Sequence, residues 1–376
     1  MRKIILNILG LLFFTNSFAQ FSNESYVYQG LTRKYRVYVP ISYDGSKPVP
    51  LVLCLHGLGD NMVNFSSIGM NYIADTANFI VVFPQAIVDP LVNAAAWNSG
   101  AGYLGYFPNT NVDDVGFLKS LMDTLSIRFS INQKKIFACG FSMGGFMSNR
   151  LACEANDRVT AIASVSGTLG AGFSCVPGKA ISVCHFHGTA DGTVSFNDGP
   201  YGKGAQSLVD FWVQNNNCNV SPSYDALPNI ANDNFTVEQY EYTGGDSSTE
   251  VLFYKVNNAG HLWLTSANDI SYSTEIWKFF NKQMLSMNTK EKQESLGKNS
   301  FEIHPNIGNG IFNIHCKKDA LGRKFQLWNV EGKLLKVFEM NSESMVIDVS
   351  SFSNGIYYIG IQNGKNSSTQ KLILSK

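Results

Sequence analysis

Apolar and polar positions follow two different patterns along the chain, and the change between them divides it in two. Up to about residue 285, short and continuous apolar runs alternate with longer segments of helical periodicity. Apolar runs without polar interruption are typical of strands that are buried on both faces of a parallel sheet. We therefore predict strands at six places, residues 51–55, 79–83, 135–139, 161–165, 181–186 and 250–256.

The segment between the second and third of these runs has the periodicity of an amphipathic helix. One face of a helix over residues 115–129 would carry five apolar side chains, Val115, Leu118, Met122, Leu125 and Phe129. Asp113 and Asp114 stand just before it, as an N-cap and a first-turn acid should. Strands that alternate with helices predict an α/β fold over residues 20–285, with a mostly parallel sheet covered by helices.

Beyond residue 285 the pattern changes. Residues 286–300 are polar and charged and contain almost no large apolar side chains, which predicts a linker. Residues 301–376 show short alternating runs, separated by the turn dipeptides Asn309-Gly310, Glu331-Gly332 and Asn354-Gly355. This pattern predicts a small all-β sandwich as a second domain.

The amino terminus has the pattern of a signal peptide. Arg2 and Lys3 precede a short apolar run, and Ser17-Phe18-Ala19 offers small residues for cleavage. We predict a signal peptide over residues 1–19, cleaved after Ala19. The run is shorter than the roughly 20 apolar residues that a membrane-spanning helix needs. No other stretch is longer and as apolar, so no transmembrane segment is expected in the mature chain.

Charge and cysteine content narrow the function. The chain has 29 Lys plus Arg and 29 Asp plus Glu, so nothing favours nucleic acid or an anionic membrane as a partner. The sequence has neither CxxC nor HExxH, and no metal or cofactor is expected. Cys54, Cys139 and Cys184 lie in apolar runs and should be small buried side chains. Cys153 and Cys175 are expected to form a disulfide.

The strongest chemical signal is the sequence Gly140-Phe141-Ser142-Met143-Gly144. It stands where a predicted strand ends and a helix begins, so Ser142 would be held on a tight turn above the sheet. The helix N-terminus and its free N–H groups would favour the negative charge of an acyl-transfer intermediate. We predict Ser142 as a nucleophile and the Met143 N–H as one oxyanion donor.

The base and the acid follow from chain order and loop position. His261 is the last histidine before residue 285 and completes the order Ser, Asp, His that this type of turn predicts. His187 is the alternative base, although it could instead orient the loop that it opens. Asp191 follows a predicted strand through a short glycine-containing loop, so it should reach the same sheet edge and orient His261.

The loop after the first predicted strand should supply the second oxyanion donor. Leu58 N–H is our choice, with Gly57 as the alternative, and His56 should brace this loop rather than react. Trp97 and Trp263 could line a cleft and stack on a sugar or phenolic ring, or each could simply fill core space.

Together these residues resemble a family. Residues 26–283 resemble the secreted esterases called polyhydroxybutyrate depolymerase-like and feruloyl esterase-like, of carbohydrate esterase family one. The matching stretches are GLTRKYRVYVP, LVLCLHGLGDN, VDDVGFL, GFSMGG, ACEANDRVTAIASVSGTL, FHGTADGTV and NAGHLW. The resemblance implies an α/β-hydrolase with Ser142, Asp191 and His261 as catalytic triad. Residues 100–111 are an insertion that lacks the cysteines of many relatives, which predicts a different cleft.

The carboxyl-terminal region resembles a different family. Residues 301–376 are similar to the C-terminal sorting domain of the type IX (Por) secretion system, through HPNIGNGIFNI, LWNVEGKLLK, IDVSSFSNGIYYIGI and KLILSK. The resemblance implies export through the type IX machinery to the cell surface or the medium.

The function expected from the sequence is that of a secreted serine esterase. The leading substrates are feruloyl or acetyl esters on plant polysaccharide, and a hydroxyalkanoate polyester is the alternative. A non-catalytic surface binding protein on a hydrolase scaffold is the rival of another class, but such a protein has no use for a strained serine.

Overall fold

The structure is a computed structural model, and it describes residues 20–297, 301–316, 321–363 and 366–376. The chain divides into two compact units between Leu285 and Ser286. The predicted signal peptide, residues 1–19, lies outside the described residues. In the part of the chain that is described, no helix is both long and apolar enough to cross a membrane.

The first unit is built on a ten-stranded sheet with five helices. Its strands are β1 (Gln20–Tyr28), β2 (Leu31–Val39), β3 (Val49–Leu55), β4 (Ile80–Pro84), β5 (Ile87–Asp89), β6 (Ala94–Ala96), β7 (Ile131–Phe141), β8 (Ala161–Val165), β9 (Ser182–Gly188), β10 (Ser223–Ala226), β11 (Thr236–Tyr242) and β12 (Val251–Asn257). Its helices are α1 (Met70–Ala77), α2 (Asp114–Arg128), α3 (Met143–Glu154), α4 (Ala205–Asn215) and α5 (Tyr272–Gly297). Strands β5 and β6 form a separate hairpin.

The sheet is mixed, with a parallel centre. Its order is β1-β2-β4-β3-β7-β8-β9-β12-β11-β10. In this order, the six strands that stand from β4 to β12 are parallel to one another, whereas the two strands at each edge pair antiparallel. The six central strands are those that the apolar runs predicted, and this prediction is confirmed. The edge strands were not predicted, because β1 alternates between exposed and half-buried positions and β10 is exposed throughout.

Helix α2 confirms the predicted helix and its cap. The Asp113 carboxylate accepts a hydrogen bond from the Gly116 N–H, which is the geometry of an N-cap. Asp114 has a further role, because it is buried in an ion pair with the buried Arg33 at 2.6 Å. Two apolar clusters fill the space between sheet and helices, and the three cysteines predicted in strands are fully buried. Cys153 and Cys175 form the predicted disulfide.

Helix α5 differs from expectation at its carboxyl end. Its backbone continues through residues 286–297, where the sequence predicted a linker. The segment TKEKQE within this stretch consists mostly of residues with high helix propensity, so its polarity did not exclude a helix.

The second unit is the predicted all-β domain. Its strands are β13 (Phe301–His304), β14 (Ile307–Gly308), β15 (Ile311–Cys316), β16 (Lys324–Asn329), β17 (Leu334–Glu339), β18 (Ser344–Asp348), β19 (Gly355–Asn363) and β20 (Asn366–Leu374). They form a sheet of order β13-β15-β18 and another of order β14-β20-β19-β16-β17. Side chains of both sheets share one core, in which the rings of Phe301 and Phe325 lie 4.9 Å apart, as in a sandwich.

Candidate active site

Ser142 stands at the junction of β7 and α3 with a backbone that few residues adopt. Its φ is 55° and its ψ is −122°, and its N–H donates to the Val165 carbonyl at 2.8 Å. The flanking glycines make this turn possible. A Cβ on Gly140 would lie 2.2 Å from the Gly144 carbonyl oxygen, and one on Gly144 would lie 1.9 Å from the Leu55 carbonyl oxygen. The chain therefore presents Ser142 from a turn that only this glycine pattern permits.

Asp191 and His261 meet at the same edge of the sheet. Asp191 follows β9 and His261 follows β12, and these strands are parallel neighbours, so their carboxyl ends lie side by side. The His261 Nδ1–H donates to Asp191 Oδ2 at 2.8 Å. Asp191 Oδ1 accepts from the backbone N–H groups of Thr193 and Val194 at 2.9 and 2.8 Å. The carboxylate is thereby fixed from both oxygens.

These contacts also set the charge of the carboxyl group. Burial would raise the pKa of Asp191, but the hydrogen bonds from His261, Val194 and Thr193 outweigh it and lower the pKa. Asp191 is therefore ionised at neutral pH and can stabilise a protonated imidazole.

Ser142 and His261 line the same cavity, which has a volume of about 290 Å³. Its lining residues are Gly57, Leu58, Asp60, Ala101, Gly102, Tyr103, Phe141, Ser142, Met143, Phe146, Thr193, Val194 and His261. The Phe141 ring packs against the His261 imidazole, with ring centres 4.7 Å apart. The Ser142 hydroxyl makes no hydrogen bond with the imidazole, and contacts of this kind often tighten only when substrate binds.

The loop after β3 borders the cavity beside Ser142. Leu58 and Met143 both line it. Among the described residues, neither of their backbone N–H groups donates a hydrogen bond to the backbone in a turn, loop or cap. Met143 is also the first residue of α3, where a backbone N–H has no partner within the helix. Leu58 and Met143, the two residues that the sequence suggested as donors, thus both lie at the cavity, and Gly57 lines it as well.

His56 fixes that loop through buried hydrogen bonds. It is fully buried, and its Nε2 accepts from the Ala86 N–H at 3.1 Å. Nδ1 therefore carries the proton and donates to the Gly57 carbonyl at 2.7 Å. Burial lowers the pKa of His56, so the ring is neutral and braces the loop, as predicted.

The two tryptophans do not line the cavity, which corrects the role proposed for them. Trp97 is 0% exposed, and its Nε1–H donates to the His56 carbonyl at 2.9 Å. Trp263 packs edge-on against Phe65, with ring centres 5.5 Å apart, and its Nε1–H donates to Ser273 Oγ. Both indole N–H groups have partners inside the protein. Trp97 therefore fills core space, whereas the partly buried Trp263 packs against the edge of a core cluster.

His187 lies behind the acid in a chain of buried hydrogen bonds. The Val194 carbonyl can only accept, so His187 Nε2, 2.9 Å away, carries the proton and Nδ1 accepts. His185 Nε2–H donates to that Nδ1 at 3.1 Å. His185 Nδ1 therefore accepts from the Ser164 hydroxyl at 2.8 Å, which is nearer than the Ser164 carbonyl at 3.2 Å. Each hydrogen bond among Ser164, His185 and His187 therefore has a defined donor and acceptor. This series of hydrogen bonds ends at the loop that carries Asp191.

This arrangement distinguishes the two candidate bases. His187 is 1% exposed, both its nitrogens are engaged, and it does not line the cavity. His261 lines the cavity with Nδ1 bonded to Asp191, which leaves Nε2 for proton transfer. The geometry supports His261 as the base and His187 as a brace for the Asp191 loop.

Several cavity residues were missed by sequence reasoning. Phe141 lies inside the serine motif, and Thr193 and Val194 directly follow Asp191, so each stood next to a recognised signal. Ala101, Gly102 and Tyr103 belong to the insertion at residues 100–111, which was expected to change the cleft and does line it.

Comparison with known proteins agrees with this architecture. Residues 38–219 match the phospholipase/carboxylesterase family, and residues 302–375 match the secretion system C-terminal sorting domain. Feruloyl esterase B of Piromyces equi is 29% identical over 245 residues, which are 61% of this chain and 42% of that protein. Feruloyl esterase C of Emericella nidulans is 32% identical over 193 residues, 50% of this chain and 63% of that protein.

The chain therefore spans less than two thirds of the length of these relatives.

Among solved structures, an acetyl xylan esterase from Aspergillus awamori superimposes with a TM-score of 0.51 at 14% identity. The match covers 69% of this chain and 99% of that structure, and it shows the α/β-hydrolase fold.

We expect His261→Ala to reduce kcat on p-nitrophenyl acetate nearly as far as loss of the nucleophile, roughly a million-fold. His187→Ala removes only a brace, so its loss should not exceed about a hundredfold. Both variants are compared at equal folded fraction by steady-state kinetics. The reverse ranking would make His187 the base.

The buried histidines predict a pH dependence of stability. Burial lowers the pKa of His56, His185 and His187, whereas each titrates near 6.5 in the unfolded chain. Below that pH the unfolded chain binds protons that the folded protein does not, so stability falls as the pH decreases from 7 to 5. The Asp191 contribution is lost only below about pH 4, outside this range.

His187→Gln should therefore make the pH dependence shallower, by up to about 1.4 kcal/mol per pH unit. Urea denaturation at pH 7, 6 and 5 measures the free energy of unfolding for both proteins. Equal slopes would show that His187 accepts a proton in the folded state.

Proposed function

We propose that the chain is a secreted serine esterase acting on plant polysaccharide, because residues 38–219 match the phospholipase/carboxylesterase family and residues 302–375 match a secretion system C-terminal sorting domain. Its substrates are feruloyl or acetyl esters. The observation that carries the proposal is the hydrogen bond between Asp191 and His261 at the wall of the cavity that also contains Ser142.

The proposed reaction proceeds through an acyl-enzyme. His261 takes the proton of the Ser142 hydroxyl, and the alkoxide attacks the ester carbonyl. The backbone N–H groups of Leu58 and Met143 stabilise the resulting oxyanion. His261 then gives the proton to the leaving alcohol, and the acyl-enzyme remains. In the second half of the reaction, His261 deprotonates a water molecule that attacks the acyl carbonyl. The acid leaves, and His261 returns the proton to the Ser142 oxygen.

The substrate class rests on the relatives and on the cavity wall. Relatives named feruloyl esterase and acetylxylan esterase match the chain over half or more of its length. Leu58, Ala101, Phe141, Met143, Phe146 and Val194 give the cavity beside Ser142 an apolar wall, which suits a phenolic or acetyl group. A panel of methyl ferulate, acetylated xylan and polyhydroxybutyrate distinguishes this proposal from a polyester depolymerase.

Export follows from the sorting domain. Its family directs proteins to a secretion system, which we infer to be the type IX machinery and to deliver the enzyme to the cell surface or the medium. All proposed catalytic residues lie before residue 286, in the first compact unit.

Ser142→Ala should remove nearly all turnover, roughly a million-fold, and also abolish labelling by a fluorophosphonate probe. The control is Ser148→Ala in α3, whose hydroxyl donates to the Gly144 carbonyl and does not line the cavity. This control should keep wild-type activity. If Ser142→Ala kept a tenth of wild-type activity, Ser142 would be excluded as the nucleophile. If the probe did not label the wild-type protein, the result would favour a non-catalytic binding protein.

Deleting residues 301–376 should leave kcat and KM unchanged and stop delivery beyond the outer membrane, because that segment supplies none of the proposed catalytic residues. Kinetics of the truncated enzyme and fractionation of a type IX-competent host measure the two effects. Lost turnover in a folded truncated enzyme would show that this domain shapes the site. Normal surface delivery would show that it is not the signal.

A further inference from the structure

A second cavity opens beside the one that contains Ser142. Its volume is about 190 Å³. Four residues line both cavities, Gly102, Phe146, Thr193 and Val194, so the two form adjoining compartments of one site. The second compartment is bordered on its far side by the segment from Ser195 to Lys203.

The wall of this compartment is fixed by backbone contacts. The Tyr201 carbonyl accepts from the Ala171 N–H at 3.0 Å, and the Lys203 N–H donates to the Leu169 carbonyl at 2.9 Å. The Tyr201 ring lies directly on the insertion, because a Cβ on Gly102 would be 2.1 Å from its Cδ1. The ring is 39% exposed although it is held in this way. The cavity wall thus includes an aromatic residue that is partly accessible to solvent.

Three polar groups of this compartment have no hydrogen-bonding partner within the described part of the protein. Asn197 and Lys203 are exposed side chains in its wall. Within the described part of the chain, no hydrogen bond joins the Asn197 amide, the Lys203 ammonium or the Tyr201 hydroxyl to another residue. The Lys203 ammonium does lie 5.9 Å from the centre of the Phe211 ring, a contact that leaves its N–H donors unused. An aromatic face surrounded by unused donors and acceptors suits a ligand with an apolar ring face and several hydroxyl groups.

The position of the compartment indicates which half of the ester it receives. In the proposed reaction, His261 gives its proton to the oxygen of the leaving alcohol. The alcohol must therefore lie on the His261 side of the ester bond. Thr193 and Val194, which the two compartments share, hold the carboxylate of Asp191 that orients His261. The second compartment is next to this side of the triad.

We propose that the second cavity binds the sugar that carries the ester, with the Tyr201 ring as its stacking surface and Asn197 and Lys203 as hydrogen-bonding groups. The inference rests on the proposed function and adds to it a specificity site for the alcohol half of the substrate. Part of its wall, Gly102, comes from the insertion at residues 100–111, so this site depends on a segment in which the chain departs from relatives.

The test compares esters with the same acyl group and different alcohols. Methyl ferulate is paired with a feruloylated arabino-oligosaccharide, and p-nitrophenyl acetate with an acetylated xylo-oligosaccharide. Tyr201→Ala should lower kcat/KM for the sugar ester about tenfold, mainly through KM, because it removes a stacking surface. The small ester of the same pair should change less than about twofold. Tyr201→Phe keeps the ring and should retain most of the wild-type value for the sugar ester.

Two tyrosines serve as controls. Tyr72 on α1 is exposed and lines neither compartment, so Tyr72→Ala should change neither substrate. Tyr103 lines only the compartment of Ser142, so Tyr103→Ala should affect both members of a pair by a similar factor.

Two outcomes would overturn the inference, and a third would overturn the proposed function on which it rests. Equal losses on both members of a pair in Tyr201→Ala would place the acyl group in the second cavity. An unchanged KM for the sugar ester in that variant would exclude the cavity as a sugar site. A wild-type enzyme that hydrolyses neither pair would instead overturn the proposed function itself, so the two failures are distinguishable.

Discussion

The structure depends on the close approach of three backbone segments around Ser142. The carboxyl end of β7, the first turn of α3 and the end of β3 lie so near that neither Gly140 nor Gly144 has room for a Cβ. A non-glycine residue with positive φ, such as Ser142, persists only where its surroundings leave no alternative. Here the hydrogen bond to Val165 and the packing of α3 on the sheet supply that constraint.

The loops around this turn are held by buried polar groups that carry no net charge. His56 and His187 each fix one loop through buried hydrogen bonds, and burial keeps both rings neutral, so neither ring places a charge in the interior. A third brace is ionic. Asp114 pairs with Arg33 and also accepts from the Asn98 N–H at 2.7 Å, next to Trp97. The proposed base His261 therefore does not have to hold these loops in place, and its Nε2 remains available for proton transfer.

The insertion at residues 100–111 is likewise attached to the fold. Asp89 is buried and accepts from the Asn109 N–H at 2.7 Å and from the Tyr106 hydroxyl at 3.2 Å. The Asn109 amide donates to the carbonyls of Ile87 and Ala96. A loop anchored in this way can form a permanent wall of a binding site. We therefore expect this segment to influence substrate choice without displacing the proposed triad.

The sequence by itself determined the central strands, helix α2, the serine turn and the chain order of Ser142, Asp191 and His261. These follow from periodicity, glycine spacing and loop position, which are properties of neighbouring residues. Local composition could also have identified the helical backbone of residues 286–297, although polarity suggested a linker. Only the tertiary structure placed Trp97 in the core and Trp263 against the edge of a core cluster, paired the edge strands and brought Tyr201 against Gly102. An indole ring, a half-polar strand or an exposed tyrosine has several suitable environments, and contacts distant in sequence decide among them.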